Sequence, residues 1–118
     1  VRTNYSNPPQ HGGAIVSEVL ASKELTAMWL EELGEMRARI QKMRQMFVEQ
    51  MKQRCPERDF SFIARQQGMF SYSGLTRLQV DELRNKHSIY IVNSGRINVA
   101  GINERNLRPL CDAIASVL

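Results

Sequence analysis

Cysteine is scarce in this chain of 118 residues, which contains only Cys55 and Cys111. The two lie far apart in the sequence and lack the close spacing that metal-ligating cysteines show, so nothing indicates a zinc site. Disulfide-rich secreted domains also contain many more cysteines than this chain. We therefore expect two buried or half-buried free thiols rather than a disulfide.

Long hydrophobic runs are missing as well. No segment approaches the roughly 18 to 20 apolar residues of a membrane span, and the first residues lack the basic and then apolar pattern of a signal peptide. Internal repeats and low-complexity stretches are not visible either. The hydrophobic content of 42% suits one soluble, unsecreted domain with a modest core, without a membrane partner.

Charge of one sign is not concentrated anywhere in the chain. The net charge is +4 and the sequence pI is about 9.4, values that would suit a nucleic-acid-binding protein. The basic residues are spread along the whole sequence, however, and no zinc-finger or RNA-recognition motif accompanies them. We therefore expect no nucleic-acid partner.

Helical periodicity is the strongest pattern present. A first helix is expected to follow Pro8 or Pro9 and to end near Ser22. A second, much longer helix is predicted by apolar residues spaced by three and four, and Pro56 stops the pattern. These apolar residues are Leu25, Trp29, Leu33, Met36, Ile40, Met43, Phe47 and Met51.

The long helix is too long for a compact domain of this size. About 31 residues at about 1.5 Å each give roughly 45 Å, whereas the radius of gyration expected for 118 residues is about 13 to 14 Å. The helix either breaks near Gly34 or connects this domain to another that the chain does not contain. The second alternative predicts a fragment of a larger protein.

The second half of the sequence predicts a mixture of strands and helices. Strands are expected at residues 60–64 and 69–72, and a helix with Thr76 as its N-cap at about 76–86. Two more strands would flank the turn at residues 93–95, and a last helix would cover about 103–117. The expected fold class is therefore α+β.

Arg96 is the most informative single residue. It follows Asn93, Ser94 and Gly95, a turn sequence that tolerates positive φ, between two short β-branched runs that read as a hairpin. A guanidinium held at such a turn can bind a planar carboxylate through two parallel hydrogen bonds. The alternative for an arginine at this position is a solvated surface charge.

Three motifs of the sequence are informative together: RTNYSNPP at residues 2–9, GMFSYSG at 68–74 and SGRINVAG at 94–101. They resemble the C-terminal third of the pyridoxal-phosphate-dependent aspartate aminotransferases of fold type I. The resemblance extends through MRARI at 36–40, MRQ at 43–45 and RDFSFI at 58–63. It therefore covers the chain from end to end, with the motifs in the family's order and spacing.

The resemblance implies roles for five residues. Arg96 matches the arginine that binds the substrate α-carboxylate. Arg2 matches the arginine that reaches across a homodimer interface to the second carboxylate of the substrate. Asn4 and Ser6 resemble residues that help to build the active-site wall of the neighbouring subunit. Phe70 resembles an aromatic residue close to the substrate, although a phenylalanine packed in a core strand is the alternative.

The resemblance also implies what this chain lacks. The family's cofactor is pyridoxal 5′-phosphate, and the lysine that forms a Schiff base with it would lie upstream of this chain, as would most residues that bind the cofactor. The expected architecture is a C-terminal small domain plus a piece of the large cofactor-binding domain, joined by the long helix. Residues 1–35 would belong to the large domain and the connecting helix, and residues 36–118 to the small domain.

Two enzyme functions and one non-enzymatic function remain open at this point. The first is an aspartate aminotransferase that acts on aspartate and 2-oxoglutarate as a cytoplasmic homodimer, with an organellar isoform not excluded. The second is an aromatic-amino-acid aminotransferase of the same subgroup, which keeps both arginines. The third is an α+β binding module with a basic surface. As a fragment without the lysine, the chain would be inactive by itself.

Overall fold

The structure is a computed structural model that describes residues 9–118. The chain is mostly helical with one small antiparallel sheet. In chain order the elements are α1 (Gln10–Ala21), α2 (Lys23–Arg54), α3 (Ser61–Arg65), β1 (Phe70–Tyr72), α4 (Arg77–His87), β2 (Arg96–Asn98), a 3-10 turn (Val99–Gly101) and α5 (Leu107–Ser116).

The long helix predicted from the apolar spacing is confirmed, since α2 runs for 32 residues and continues through Gly34 without a break. The contacts within the chain divide it into two compact units, and the boundary lies inside α2, between Arg37 and Ala38. No helix among residues 9–118 is both long enough and apolar enough to span a membrane.

The first unit contains α1 and the beginning of α2. Ser22 separates the two helices: its backbone N–H donates to the Glu18 carbonyl at the end of α1, and its hydroxyl accepts from the Leu25 N–H at the start of α2. The Thr26 hydroxyl donates to the Val19 carbonyl at 2.8 Å. None of the α1 residues is buried, and its large apolar residues Ile15, Val16 and Leu20 are exposed.

The second unit contains a hydrophobic core. Phe47 of α2 meets Phe60 edge-on, with ring centroids 6.2 Å apart and an interplanar angle of 84°. The core combines side chains of the second half of α2, of α3 to α5 and of β2. Its buried apolar residues are Met43, Phe47, Met51, Cys55, Phe60, Ile63, Leu75, Val80, Leu83, Ile91, Ile97, Val99, Ile102, Leu107, Cys111, Ala113, Ile114 and Val117. Both cysteines are free thiols in this core, as the sequence predicts.

The strand predicted at residues 60–64 is wrong, because this segment forms α3. Aromatic and β-branched residues such as Phe60, Phe62 and Ile63 are typical of a strand. Asp59 instead forms a local turn with Ser61. Its carboxylate accepts hydrogen bonds from the Ser61 N–H at 2.7 Å and the Ser61 hydroxyl at 2.9 Å. This local turn directs the chain into a helix, and the same two bonds hold the pKa of Asp59 below its ordinary value.

The hairpin predicted around residues 93–95 is only partly correct. Residues 90–92 form no strand, and β2 pairs instead with β1 in an antiparallel register that places Phe70 opposite Asn98 and Tyr72 opposite Arg96. The helix after Thr76 is confirmed, including a capping box between Thr76 and Gln79. The last helix is shorter than predicted, because residues 103–106 form a turn before α5 begins.

Candidate functional site

Arg96 and Phe70 lie on the exposed face of the two-stranded sheet. Arg96 is opposite Tyr72 in the register, yet its guanidinium carbon lies 4.7 Å from the centre of the Phe70 ring, the diagonal neighbour. A cation over an aromatic face is attracted by the ring quadrupole. We call these two residues the Arg96–Phe70 pair.

Gly95 fixes the backbone from which Arg96 departs. Its φ of +76° confirms the positive-φ turn that the sequence predicts, and its N–H donates to the Val92 carbonyl at 2.8 Å. The Gly95 carbonyl accepts from both the Ser73 N–H at 2.9 Å and the Ser73 hydroxyl at 2.6 Å. Any Cβ at Gly95 would lie 2.9 Å from the Leu75 carbonyl oxygen, so only glycine fits here.

The charge of Arg96 is not neutralised by any nearby carboxylate. Among residues 9–118, no aspartate or glutamate forms an ion pair with it, and the residue is exposed. Two cavities of about 440 and 430 Å³ both border Arg96 and Phe70. These volumes lie within the range of small-molecule sites. The larger cavity is mostly apolar where residues 89–92, Pro109 and Leu110 line it.

Arg44 of α2 is a residue of this region whose burial the sequence analysis missed. It is only 2% exposed, and its guanidinium donates to the carbonyls of Ile63 at 3.0 Å, Gly68 at 2.6 Å and Phe70 at 3.0 Å, and also to the Ser71 hydroxyl. Desolvation by burial lowers the pKa of Arg44 from its ordinary value. The available signal was its position on the apolar stripe, four residues after Ile40 and three before Phe47.

Gln66 also holds the backbone of β1. Its side-chain carbonyl accepts from the Tyr72 N–H at 3.1 Å. The strand pairing is also extended beyond the sheet, because the Val99 N–H donates to the Met69 carbonyl at 2.8 Å. The backbone on both sides of Phe70 is therefore held by several hydrogen bonds. A fixed backbone favours a fixed ring position.

The structure brings together two of the five site residues predicted from the sequence, Arg96 and Phe70. The other three, Arg2, Asn4 and Ser6, lie outside the described residues. No lysine borders either of the two cavities. Within residues 9–118, no group of three or more histidine, cysteine, aspartate or glutamate side chains is arranged to hold a metal ion. The described part of the site is therefore a cation on an aromatic ring beside two cavities.

The chain resembles known proteins along nearly its whole length. The family model described as aminotransferase class I and II matches residues 1–114. The chain is 58% identical over its whole length to the aspartate aminotransferase of Haemophilus influenzae and 56% identical to that of Pseudomonas aeruginosa. It spans 30% of the length of each of these relatives.

Solved structures give the same result. An aromatic-amino-acid aminotransferase from Burkholderia pseudomallei, covalently bound to pyridoxal phosphate, superposes with a TM-score of 0.93 and is 63% identical. The superposition covers 99% of this chain and 29% of that one. The family match over nearly all of the sequence, together with this structural agreement, shows that the chain belongs to the class I and II aminotransferases.

Proposed function

We propose that the protein containing this chain is an aspartate aminotransferase, which transfers the amino group of L-aspartate to 2-oxoglutarate and yields oxaloacetate and L-glutamate. The names of the relatives from Haemophilus influenzae and Pseudomonas aeruginosa support this activity. All four compounds have a carboxylate next to the reacting carbon. The site must therefore bind that carboxylate in both half-reactions.

The guanidinium of Arg96, which forms no ion pair within residues 9–118, is the single observation that carries the proposal. Its planar fork can donate two parallel hydrogen bonds to the α-carboxylate, and the Phe70 ring at 4.7 Å supports the guanidinium from one face. A carboxylate held at two points cannot rotate freely. Arg96 therefore sets the orientation of the bond at the reacting carbon, which is a contribution to catalysis through positioning.

The proposed cofactor is pyridoxal 5′-phosphate. When bound, it supplies the electron sink that stabilises negative charge at the substrate carbon. The described residues suit a substrate-binding role better than a cofactor-binding one, because no lysine borders the cavities beside Arg96. We assign the cofactor-binding lysine and most cofactor contacts to the part of the enzyme that precedes this chain.

We further propose that Arg2, Asn4 and Ser6 act across a homodimer interface. Arg2 would bind the distal carboxylate of aspartate or 2-oxoglutarate in the neighbouring subunit, and Asn4 and Ser6 would form part of that site's wall. The matched motif at residues 2–9 supports these roles. Two arginines that bind the two ends of a dicarboxylate would explain a preference for four- and five-carbon diacids.

The proposed domain assignment follows the same pattern. Residues 1–35 would end the large cofactor-binding domain and begin the connecting helix, and residues 36–118 would form the small domain. The division of the contacts between Arg37 and Ala38 supports a boundary in this part of α2. A cytoplasmic location completes the proposal.

A second candidate is an aromatic-amino-acid aminotransferase of the same subgroup. The observation that favours it is the 63% identity to the enzyme from Burkholderia pseudomallei, which exceeds the 58% identity to the aspartate aminotransferase of Haemophilus influenzae. The apolar lining of the larger cavity beside Arg96 is compatible with an aromatic side chain. Both candidates need Arg96 for the α-carboxylate.

The test is a comparison of two substrates on the full-length enzyme supplied with pyridoxal phosphate. The value of kcat/KM is measured for aspartate and for phenylalanine, with 2-oxoglutarate as the acceptor. We expect a clear preference for aspartate. Comparable values would favour the aromatic-amino-acid aminotransferase instead. The absence of turnover with either substrate would contradict both enzyme functions and favour the non-catalytic binding module.

A further inference from the structure

We propose that Arg44 is a positioning residue for carboxylate binding, because it fixes the backbone of β1 and thereby the Phe70 ring on which Arg96 rests. This inference depends on the proposed function only in taking Arg96 as the residue that binds the carboxylate. Arg44 itself does not border either cavity next to Arg96. It acts through another residue.

The environment of Arg44 is unusual for a charged side chain. It is 2% exposed, and no carboxylate among residues 9–118 pairs with it. Arginine stays protonated at neutral pH, so a full positive charge is buried against carbonyl and hydroxyl oxygens alone. Burial of a charge in this way opposes folding, and a methionine or leucine would fill an apolar stripe without that cost.

The hydrogen bonds indicate what the buried charge does. One nitrogen, Nη2, donates to the carbonyls of Gly68 at 2.6 Å and Phe70 at 3.0 Å, and the other, Nη1, donates to the Ile63 carbonyl and the Ser71 hydroxyl. The planar fork thus fixes the backbone on both sides of Met69 and orients the peptide that follows Phe70. Sheet pairing alone would fix this backbone less well, because β1 has three residues and, within residues 9–118, pairs only with β2.

Phe70 transmits this constraint to the site. Its carbonyl accepts from Arg44, while its ring lies 4.7 Å from the Arg96 guanidinium on the exposed face of the sheet. A rotation of the Phe70 backbone would move the ring and change the support of Arg96. Loss of the Arg44 fork should therefore weaken carboxylate binding, although Arg44 borders neither cavity beside Arg96. Displacements of about 1 Å at a site can cost up to a hundredfold in rate.

The experiment uses the full-length enzyme supplied with pyridoxal phosphate, and the probe is succinate, a four-carbon dicarboxylate that lacks an amino group and cannot react. Its Kd is measured by isothermal titration calorimetry for wild type, Arg44→Lys and a matched control, Arg54→Lys. Arg54 also lies on α2, but it bonds with Asp112 and Gln50, away from β1. We expect Kd to rise about tenfold in Arg44→Lys and less than twofold in Arg54→Lys.

A double-mutant cycle with Phe70→Leu separates positioning from general destabilisation. If Arg44 acts through the Phe70 ring, Arg44→Lys should raise Kd less than threefold once the ring is absent. An equal loss in both backgrounds, or a loss no larger than that of Arg54→Lys, would overturn the proposal. Hydrogen exchange adds an independent readout, since faster exchange should be confined to residues 66–73 in Arg44→Lys.

Ser71→Ala is the second variant, for the case that Arg44→Lys does not fold. It removes only one acceptor of the Arg44 guanidinium, the Ser71 hydroxyl. We expect a rise in Kd of about threefold that again disappears in the Phe70→Leu background. An unchanged Kd in Ser71→Ala would contradict the proposal.

Succinate binding is measured without turnover. An enzyme that binds succinate but does not transaminate aspartate would therefore refute the proposed function without contradicting the role of Arg44.

Discussion

The guanidinium of Arg96 is exposed and charged, yet its position is narrowly defined by its neighbours. Gly95 sets the direction of the backbone at a φ of +76°, and Phe70 supports the guanidinium from below at 4.7 Å. Such an arrangement reduces the rotamer freedom that a long side chain would lose on binding a ligand. A preorganised donor binds more tightly than a mobile one.

Replacement of Arg96 by lysine tests this assignment. Arg96→Lys keeps the charge but replaces the planar fork by a point charge, so we expect kcat/KM for aspartate to fall by far more than tenfold in the full-length enzyme. Arg77→Lys, at an exposed position of α4, is the control and should change kcat/KM very little. A loss below threefold in Arg96→Lys would exclude Arg96 as the main carboxylate ligand.

Gly95→Ala should be strongly destabilising. The new Cβ would lie 2.9 Å from the Leu75 carbonyl oxygen and 3.2 Å from the Ser73 hydroxyl oxygen, at a φ that side chains with a Cβ rarely adopt. We expect a loss of about 2 kcal/mol or more in the free energy of unfolding, measured by urea denaturation. Gly101→Ala is the comparison, because a Cβ there meets nothing within 4 Å. Similar losses for both would contradict the steric argument.

The residues of the site differ in how far the sequence could reveal them. Arg96 and the turn at Gly95 could be predicted because positive-φ turn residues have a local signature. The contact of Arg96 with Phe70 could not be predicted from local sequence, because it depends on a strand register that joins distant segments. Arg44 lies on the apolar stripe of α2, but which oxygens compensate its charge is a property of the folded chain.

At the scale of elements, the helices followed from their sequences more reliably than the strands. The spacing of apolar residues predicts α2, and Thr76 as an N-cap predicts the start of α4, where the structure adds hydrogen bonds between Thr76 and Gln79. The strands at 60–64 and 90–92 were wrong. Short β-branched or aromatic runs do not contain their pairing partner. At residues 59–61 the carboxylate of Asp59 instead forms a local turn with Ser61 at the start of α3.

Gly34 gives a prediction that belongs to the helix as a whole. It lies in the interior of α2, has no φ in the positive range, and an added Cβ would meet nothing within 4 Å. Gly34→Ala should therefore raise the free energy of unfolding by about 0.5 to 1 kcal/mol, because alanine lowers the entropy of the unfolded chain. Chemical denaturation measures the change, and Ala38→Gly in the same helix should have the opposite sign. A destabilised Gly34→Ala would contradict the open space around this position.

At the scale of the whole chain, the apolar surface is distributed unevenly. Many exposed apolar side chains lie in α1 and in the first half of α2, where Trp29 is 44% exposed. Soluble monomers rarely leave large contiguous apolar surfaces uncovered. The exposed apolar residues between positions 15 and 36 are Ile15, Val16, Leu20, Leu25, Met28, Trp29, Leu30, Leu33 and Met36. This pattern fits a chain that spans 30% of its relatives' length.

The buried thiol of Cys111 makes stability depend on alkaline pH. Burial raises the pKa of Cys111 from an ordinary value of 9.0 to about 12, so the folded state keeps the thiol protonated while the unfolded state ionises. The contribution is complete below pH 9 and is lost as the pH rises towards 12, at no more than about 1.4 kcal/mol per pH unit. The pKa of Cys55 is raised as well, chiefly by burial.

Cys111→Ala isolates this contribution. At pH 7 we expect it to cost about 1 kcal/mol through the cavity it leaves. Because wild type loses the contribution of the thiol above pH 9, the difference from wild type should shrink there and change sign by about pH 10.5. Urea denaturation at pH 7, 9 and 10.5 measures the difference, and Ala113→Gly, which changes no titrating group, should give a constant one. A gap that stays unchanged with pH would mean that the thiol is not protected from ionisation.

The pairing of β1 with β2 also determines when the site can form during folding. The two strands enclose the whole of α4, and Arg96 meets Phe70 only after this long loop closes. Contacts between distant segments generally form later than local ones, since the entropy of loop closure must be overcome first. We therefore expect α2 and α4 to acquire helical structure early and the capacity to bind a carboxylate to appear in a late step. On the ribosome, that step cannot begin until the residues of β2 have emerged.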